Sequence, residues 1–280
     1  MPELPEVETV ARTLTELVSG KKIIKVTVNL PRIIQHPEDI EQFCEALVGH
    51  TIEKVERRGK FLRIILDGLV LVSHLRMEGR YGLFQSTDEV EKHTHVLFTF
   101  EDGTELRYKD VRQFGTMHLY KAGEDLTTPP LNKLGIEPFS EQVTAKSLRE
   151  KLENRTSKIK PLLLNQELVV GLGNIYVDES LFLARIHPER TPDSLTKTEW
   201  KRLHEAIVTT LTAAVEAGGS SIKSYVNGQG EMGMFQQQLN VYGKKNEQCP
   251  NCHEPIVRIV VGGRGTHYCI KCQPMKYPKK

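Results

Sequence analysis

Apolar residues recur at helical spacing in some parts of the chain and in short separate runs in others, which predicts where helices and strands lie. Segment 5–19 has apolar residues at helical spacing, Pro5 suits the first helical position and Gly20 can stop the helix. Short apolar runs follow between 23 and about 121, separated by turns such as Asp67-Gly68, and they predict a β-sandwich or barrel. The predicted strands are 23–30, 61–66, 69–74, 96–100 and 104–108, with one helix at 38–48.

The second half of the chain has a helical pattern. A proline-containing stretch at 127–138 predicts a linker, and Gly171-Leu172-Gly173-Asn174 predicts a tight turn that enters a helix with Asn174 as its cap. A glycine-rich stretch from Gly218 to Gly233 predicts a mobile loop. The predicted helices are 144–154, 158–166, 174–184 and 196–217.

Four of the five cysteines form two Cys-x-x-Cys pairs, Cys249/Cys252 and Cys269/Cys272, sixteen residues apart. This spacing is typical of a tetrahedral zinc site, and four thiolates leave no open position, so the zinc should be structural. The segment between the pairs predicts a β-hairpin whose tip presents Arg264 among glycines. The fifth cysteine, Cys44, lies on an apolar helical face and is predicted to be a small buried core residue.

Charge is distributed unevenly along the 280 residues, although the net charge is only +2. Residues 243–280 hold eight Lys or Arg and two acidic residues, whereas the remainder is mildly acidic. A basic C-terminal module suggests a polyanionic partner, or else a solvated basic tail. No run of 18 apolar residues exists and the N-terminus lacks the pattern of a signal peptide, so we expect no membrane span and a cytoplasmic, nucleoid-associated protein.

The N-terminus offers a candidate nucleophile. If Met1 is removed, Pro2 carries an α-amine, which titrates at about 7.7–8.0 against about 10.4 for lysine and is partly uncharged at neutral pH. Glu3 and Glu6 place carboxylates within one helical turn for proton transfer. Read without context, Pro and Glu at a helix start are also ordinary capping residues, so the residues alone leave both interpretations open.

Five motifs in order resemble one known family, that of bacterial formamidopyrimidine-DNA glycosylase, also called 8-oxoguanine DNA glycosylase or MutM/Fpg. The likeness covers the whole chain. Its motifs are Met1-Pro2-Glu3-Leu4-Pro5-Glu6-Val7-Glu8-Thr9-Val10, Arg58-Gly59-Lys60 with His74-Leu75-Arg76-Met77-Glu78-Gly79, Asp110-Val111-Arg112-Gln113-Phe114-Gly115, Gly171-Leu172-Gly173-Asn174-Ile175-Tyr176, and the four-cysteine finger with Gly263-Arg264-Gly265-Thr266.

The resemblance implies an α+β multi-domain fold: an N-terminal helix plus β-sandwich, then a helical helix-two-turn-helix domain with a four-cysteine zinc-finger β-hairpin. It implies a catalytic domain at 1–126, a linker at 127–138, a DNA-binding domain at 139–242 and a zinc finger at 243–280. The loop 218–238 would close over the damaged base. We expect a monomer that binds damaged double-stranded DNA and one structural zinc.

The resemblance also implies the chemical roles. Pro2 attacks C1′ of the damaged nucleotide, expels the oxidised purine and forms an iminium, and Glu3 donates a proton that assists sugar-ring opening. Lys60 is assigned to β-elimination and Arg264 to δ-elimination and phosphate binding. From the sequence alone, Lys60 would instead be a solvated strand end.

A further set of residues is implied to bind DNA. Met77, Arg112 and Phe114 resemble a wedge that fills the gap left by the flipped base, with Arg112 facing the orphaned cytosine. From the sequence alone, Met77 and Phe114 would be core residues. The remaining implied DNA contacts are His74, His93, Arg155 and Asn174, of which Asn174 would hold a phosphate at a helix N-terminus.

Two rival interpretations differ in what they explain. The endonuclease VIII branch shares the proline chemistry and the finger but prefers oxidised pyrimidines; Leu4, and Arg112 with Phe114 in one loop, favour the purine branch. A zinc-ribbon DNA-binding module without catalysis would explain the finger and Asn174 but not Pro2 and Glu3.

Overall fold

The structure is a computed structural model that describes residues 2–220 and 233–277. The chain divides into two units, one formed by Met1–Lys133 with Ala217–Met234 and the other by Leu134–Glu216 with Phe235–Lys280.

The first unit is a β-sandwich preceded by a helix. Its helices and strands are α1 Leu4–Val18, β1 Ile23–Val28, β2 Ile34–His36, α2 Ile40–Leu47, β3 Ile52–Arg58, β4 Phe61–Leu66, β5 Leu69–His74, β6 Arg80–Gln85, β7 Thr94–Phe100, β8 Thr104–Lys109 and β9 Thr116–Lys121. One sheet has the order β1-β7-β8-β6 and the other β2-β9-β5-β4-β3. Pairing is antiparallel except between β2 and β9.

The two sheets of this unit share one apolar core. Helix α1 packs against β3, and its buried face contributes Val7, Val10 and Leu14 to that core. Asp39 caps the N-terminus of α2 by accepting the amide N–H groups of the second and third helical residues at 2.9 and 3.1 Å. The buried face of each element therefore follows from its apolar periodicity.

The second unit is helical and carries a β-hairpin. Its elements are α3 Ala145–Leu152, α4 Ile159–Leu164, α5 Asn174–Ala184, α6 Lys197–Glu216, β10 Val257–Val261 and β11 Arg264–Tyr268. Phe182 of α5 packs in one buried cluster with Cys249 and Cys269, which joins the cysteine module to the helical part of the unit. Within the described ranges, no helix has the length and apolar character needed to cross a membrane.

The predicted fold class is confirmed, and several local predictions are corrected. Helix α1 begins at Leu4 because Glu3 is its N-cap, so Pro5 is its second helical residue rather than its first. The cap of α5 is Gly173, and Asn174 is the first helical residue. The hairpin turn is Gly262-Gly263 alone, and Arg264 already belongs to β11.

Three predictions from the sequence alone about burial are wrong or approximate. Lys60 is buried, with only 6% of its surface exposed, rather than a solvated strand end. Met77 and Phe114 are 39% and 52% exposed rather than core residues. Cys44 packs at the edge of the core and is half-buried. The exposure of Met77 and Phe114 agrees with the DNA wedge that the family resemblance implies.

Candidate active site and nucleic-acid interface

The N-terminal end of α1 gathers the candidate nucleophile and two carboxylates. Pro2 and Glu3 are both buried, although each precedes the helix. The backbone N–H of Glu3 donates to one carboxylate oxygen of Glu6 at 2.7 Å, and the other oxygen accepts the N–H of Ser220 at 2.7 Å. The positive end of α1 favours the uncharged form of a nearby amine and the charged form of these carboxylates.

The turn that carries Lys60 is connected to α1 by an ion pair. Arg57 at the end of β3 donates from Nε to Glu8 at 2.9 Å and from Nη1 to the carbonyl oxygen of Gly59 at 3.1 Å. Burial of Glu8 acts to raise its pKa, but Arg57 and Arg12 outweigh it and hold the pKa below its usual value. The arrangement fixes the β3–β4 turn relative to the helix that follows Pro2.

His74 at the end of β5 is held as a neutral hydrogen-bond donor. Burial, and then the positive charges of Arg76 and Lys60, lower the pKa of His74 to about 3. Its Nδ1 accepts the backbone N–H of Arg76 at 2.9 Å, so the remaining proton resides on Nε2. Because Nδ1 is the acceptor of the ring, the neutral imidazole can donate its Nε2–H to an anionic group.

Two loops at one end of the sandwich expose large side chains while their backbones are ordered. Met77 lies in the β5–β6 loop, and Arg112 and Phe114 lie in the β8–β9 loop. The Arg112 guanidinium lies 5.1 Å from the centre of the Phe114 ring, a cation–π distance. His93 immediately precedes β7 with a positive φ of 69°. Exposed apolar side chains on such loops are suited to contact a partner.

In the second unit, α4 and α5 hold the strand that begins at Arg264. The carbonyl oxygen of Gly265 accepts Asn174 Nδ2 at 2.9 Å and Lys160 Nζ at 3.2 Å. Lys160 Nζ also donates to Asp178 Oδ1 at 2.6 Å, and both side chains are fully buried. The other Asp178 oxygen accepts the backbone N–H of His267 at 2.8 Å. Asn174 and Arg264 are therefore neighbours in this unit.

The hairpin tip is shaped by glycine. Gly262 and Gly263 have φ values of 55° and 73°, as a two-residue turn of type I′ requires. A Cβ on Gly262 would lie 2.8 Å from Pro161 Cγ, so the tip sits close to α4. Arg264 is exposed beside this turn, and Arg155 is exposed in the turn after α3. Exposed cations near backbone amides suit phosphate contacts.

The four predicted zinc ligands lie together. Their sulfur atoms are within 4.8 Å of one another, with 3.8 Å between Cys249 and Cys272 and 3.4 Å between Cys252 and Cys269. A tetrahedral zinc with Zn–S bonds of about 2.3 Å requires S···S separations of about 3.8 Å. These separations fit a zinc ion and are too long for disulfides.

Three sequence profiles of known domains match the chain. Residues 1–117 match the formamidopyrimidine-DNA glycosylase N-terminal domain, 134–226 match the H2TH domain of the same enzymes, and 246–274 match a zinc finger found in FPG and IleRS. The chain belongs to the formamidopyrimidine-DNA glycosylase family.

Individual relatives in this family are similar over nearly their full length. The formamidopyrimidine-DNA glycosylases of Brevibacillus brevis and Halalkalibacterium halodurans are each 63% identical over 273 residues, covering 98% of this chain and 99% and 100% of theirs. Among solved structures, Lactococcus lactis Fpg bound to DNA containing N7-benzyl-Fapy-dG superposes with a TM-score of 0.91 at 45% identity, covering 98% of this chain and all of that chain. Lactococcus lactis Fpg with abasic-site DNA gives a TM-score of 0.91 at 44% identity, with the same coverage of both chains.

Membership of the formamidopyrimidine-DNA glycosylase family decides between the interpretations drawn from the sequence. The family assignment favours the purine-specific branch over the endonuclease VIII alternative. A zinc-ribbon module without catalysis would not explain the matched N-terminal domain. The roles of the individual site residues stay predictions. The central part of the predicted capping loop, 221–232, lies outside the described residues.

Sequence reasoning missed the residues that hold the candidate functional segments in place through hydrogen bonds and ion pairs. It gave no role to Arg57, Asp110, Lys160 or Asp178, all of which contact a candidate functional segment. Asp110 lies within a quoted motif, so its position beside Arg112 was a signal. The buried pair Lys160–Asp178 left no such signal, because eighteen residues separate its members along the chain.

Proposed function

We propose that the protein is a bifunctional base-excision-repair enzyme that removes oxidised purines, such as 8-oxoguanine and formamidopyrimidines, from duplex DNA and then cleaves the abasic strand. The observation that carries the proposal is the burial of Pro2 and Glu3 together at the N-terminal end of α1. A secondary amine and a carboxylate at a buried helix N-terminus are suited to covalent catalysis with proton transfer. The DNA-containing structures of Lactococcus lactis Fpg support this choice of substrate class.

In the proposed first stage, which requires removal of Met1, the Pro2 nitrogen forms a bond to C1′ and loses its proton. The bond from C1′ to the damaged base breaks, and the base leaves with that electron pair and takes up a proton. Glu3 donates a proton to O4′ as the sugar ring opens, and the nitrogen lone pair completes an iminium with C1′. The iminium then acts as the electron sink for the later steps. Glu6 supports this stage by fixing the backbone of Glu3.

In the proposed second stage, two eliminations cut the strand. Loss of a proton from C2′ expels the 3′ phosphate, the β-elimination to which we assign Lys60. Loss of a second proton, from C4′, expels the 5′ phosphate, and this is the δ-elimination to which we assign Arg264. Burial of Lys60 in a turn held to α1 through Arg57 is consistent with a lysine of defined position rather than a solvated one.

Base removal from a duplex requires extrusion of the damaged nucleotide, which costs a few kcal/mol of unstacking and unpairing. We propose that Met77, Arg112 and Phe114 fill the space that the extruded nucleotide leaves in the duplex, since their loops expose apolar and cationic groups. We assign phosphate and strand contacts to the neutral donor His74 and to His93, Arg155 and Asn174. The loop 218–238 is proposed to close over the base.

One structural zinc is proposed at Cys249, Cys252, Cys269 and Cys272, whose sulfur separations suit it. When bound, the metal would supply folding energy to the hairpin that presents Arg264. We propose that the protein acts as a monomer in the bacterial cytoplasm, associated with the nucleoid.

The nucleophile is tested by trapping with borohydride on a duplex that contains 8-oxoguanine, followed by mapping of the crosslinked peptide. We expect the adduct on the peptide that begins at Pro2. Pro2→Gly should lower excision sharply, and a protein that retains Met1 should do the same with no side chain changed, while both still bind the duplex.

An adduct on a Lys60 peptide, or full excision by protein whose mass shows Met1, would contradict the proposed chemistry. A second duplex with thymine glycol measures preference for oxidised purine over oxidised pyrimidine. That comparison is needed because one Lactococcus lactis Fpg structure holds DNA with an oxidised pyrimidine.

A further inference from the structure

Asp110 is a buried carboxylate placed directly after β8, with only 1% of its surface exposed. Its Oδ1 accepts the backbone N–H of Arg112 at 3.1 Å, and its Oδ2 accepts those of Phe114 and Gly115, each at 2.9 Å. An ionised carboxylate offers about four acceptor sites, so one side chain can hold three amides of the loop. The side chains of Arg112 and Phe114 are exposed on a backbone that Asp110 fixes.

The backbone of Asp110 is tied to a second segment. Its N–H donates to the carbonyl oxygen of His93 at 3.0 Å, and its own carbonyl oxygen accepts His95 Nε2 at 2.9 Å. His93 stands in the left-handed region, where a non-glycine residue requires support from its surroundings. Asp110 therefore also holds the end of the β6–β7 loop.

The loop that carries Met77 and Gly79 lies close to the Asp110 carboxylate through Tyr108, whose side chain is fully buried. Its hydroxyl donates to Asp110 Oδ2 at 3.3 Å, and burial followed by the Asp110 charge raises the pKa of Tyr108, so the hydroxyl keeps its proton. A Cβ on Gly115 would lie 1.7 Å from this hydroxyl oxygen, and a Cβ on Gly79 would lie 2.3 Å from it. Only glycine lets the loop of Met77 and the loop of Phe114 both approach Tyr108.

We infer that Asp110, assisted by Tyr108, is a positioning residue that holds three separate loops as one preformed surface for insertion into the duplex. The inference rests on the proposed role of Met77, Arg112 and Phe114 in filling the vacated space. A loop ordered before binding loses less conformational freedom when it enters DNA. Asp110 would thereby favour the extruded state without touching the DNA.

The test compares Asp110→Asn with the parent protein in single-turnover excision at saturating enzyme. Asparagine keeps the shape of the side chain but has one acceptor oxygen, and its amide would face a loop N–H. Two duplexes are used: 8-oxoguanine opposite cytosine, and 8-oxoguanine opposite a tetrahydrofuran site that has no base. Extrusion is less costly where the lesion has no partner.

We expect Asp110→Asn to slow excision opposite cytosine by about tenfold or more, and opposite the tetrahydrofuran site by less than about threefold, because extrusion is the step affected. Asp39→Asn is the matched control, since Asp39 also accepts two backbone amides but lies at the cap of α2. It should match the parent on both duplexes.

The inference is overturned if Asp110→Asn excises at the parent rate from both duplexes. It is also overturned if both duplexes are slowed equally, because equal slowing is what a general loss of folded protein would produce. If Asp110→Asn does not fold, Tyr108→Phe decides: slowing confined to the cytosine duplex supports the inference, and parent behaviour overturns it. Failure of the proposed function is separate, because then the parent itself forms no borohydride adduct with an abasic duplex.

Discussion

The buried ion pair between Lys160 and Asp178 allows a quantitative test of how the helices support the hairpin. Asp178→Asn keeps the shape of the side chain and an oxygen that can accept the His267 N–H. It removes the negative charge opposite Lys160 Nζ. The hydrogen bond from Lys160 Nζ to the carbonyl oxygen of Gly265, at 3.2 Å, is kept. The ammonium group is left in a buried position without its counter-charge.

The expected loss is large because neither side chain is exposed to solvent, so screening does not reduce it. Removing one partner of a buried ion pair costs about 3–5 kcal/mol. A domain is typically stable by about 5–15 kcal/mol, so the variant should lose a substantial part of the stability of the second unit. Adding Lys160→Met removes the buried ammonium group and should return at least about 2 kcal/mol of that loss.

The single tryptophan of the chain makes the measurement specific. Trp200 lies in α6 with 2% of its surface exposed, so its fluorescence during urea unfolding, at fixed zinc concentration, reports on the second unit. Glu205→Gln is the control, because Glu205 pairs with Lys201 at 3.8 Å on the surface with 58% and 72% exposure. Its free energy of unfolding should change by less than about 0.5 kcal/mol.

Two results would refute this reasoning. One is a loss of less than about 1 kcal/mol in Asp178→Asn, far below the range for a buried pair. The other is a double variant no more stable than Asp178→Asn alone, since the buried ammonium group would then not be the cause of the loss. Weaker binding to duplex DNA should accompany the loss of stability, because the same pair holds the strand that begins at Arg264.

The proposed zinc site, the proposed wedge and the buried histidine each allow a further test. Cys249→Ser should lose the zinc, measured by metal analysis, and weaken DNA binding; native protein with under half an equivalent of zinc would contradict the assignment. Arg112→Ala and Phe114→Ala should leave the melting temperature nearly unchanged but slow excision from duplexes, and unchanged single-turnover rates in both would exclude the wedge. The pKa of His74 is about 3 when folded against about 6.5 when unfolded, so acidification below pH 6.5 should destabilise the protein. His74→Gln should reduce that loss by up to about 1.4 kcal/mol per pH unit, as measured by calorimetry across about pH 4–6.5, and an unchanged slope would show that His74 does not titrate this way.

Some elements could be predicted closely because local pattern and packing agree. Strands β4 and β5 and helix α5 have the predicted bounds, since each is a continuous apolar or periodic segment with turn residues beside it. Strands such as β3, with sequence Ile52-Glu53-Lys54-Val55-Glu56-Arg57-Arg58, could not be identified, because only two of its residues are fully buried. Its charged residues are compatible with a strand only because β4 and α1 lie beside it.

The chemistry-bearing residues divide in the same way. The sequence alone predicted a four-cysteine zinc site, since ligand type and spacing are local, and it pointed to Pro2 and the neighbouring carboxylates as candidates. Whether a residue is buried or exposed depends on the neighbours that folding brings, and so Lys60, Met77 and Phe114 were assigned the wrong environment by pattern alone. Only the tertiary structure decided that Asp110 is bonded to His93 and His95 as well as to its own loop, and that Lys160 meets Asp178. Hydrogen bonds and ion pairs join groups that are close in space, irrespective of their separation along the chain.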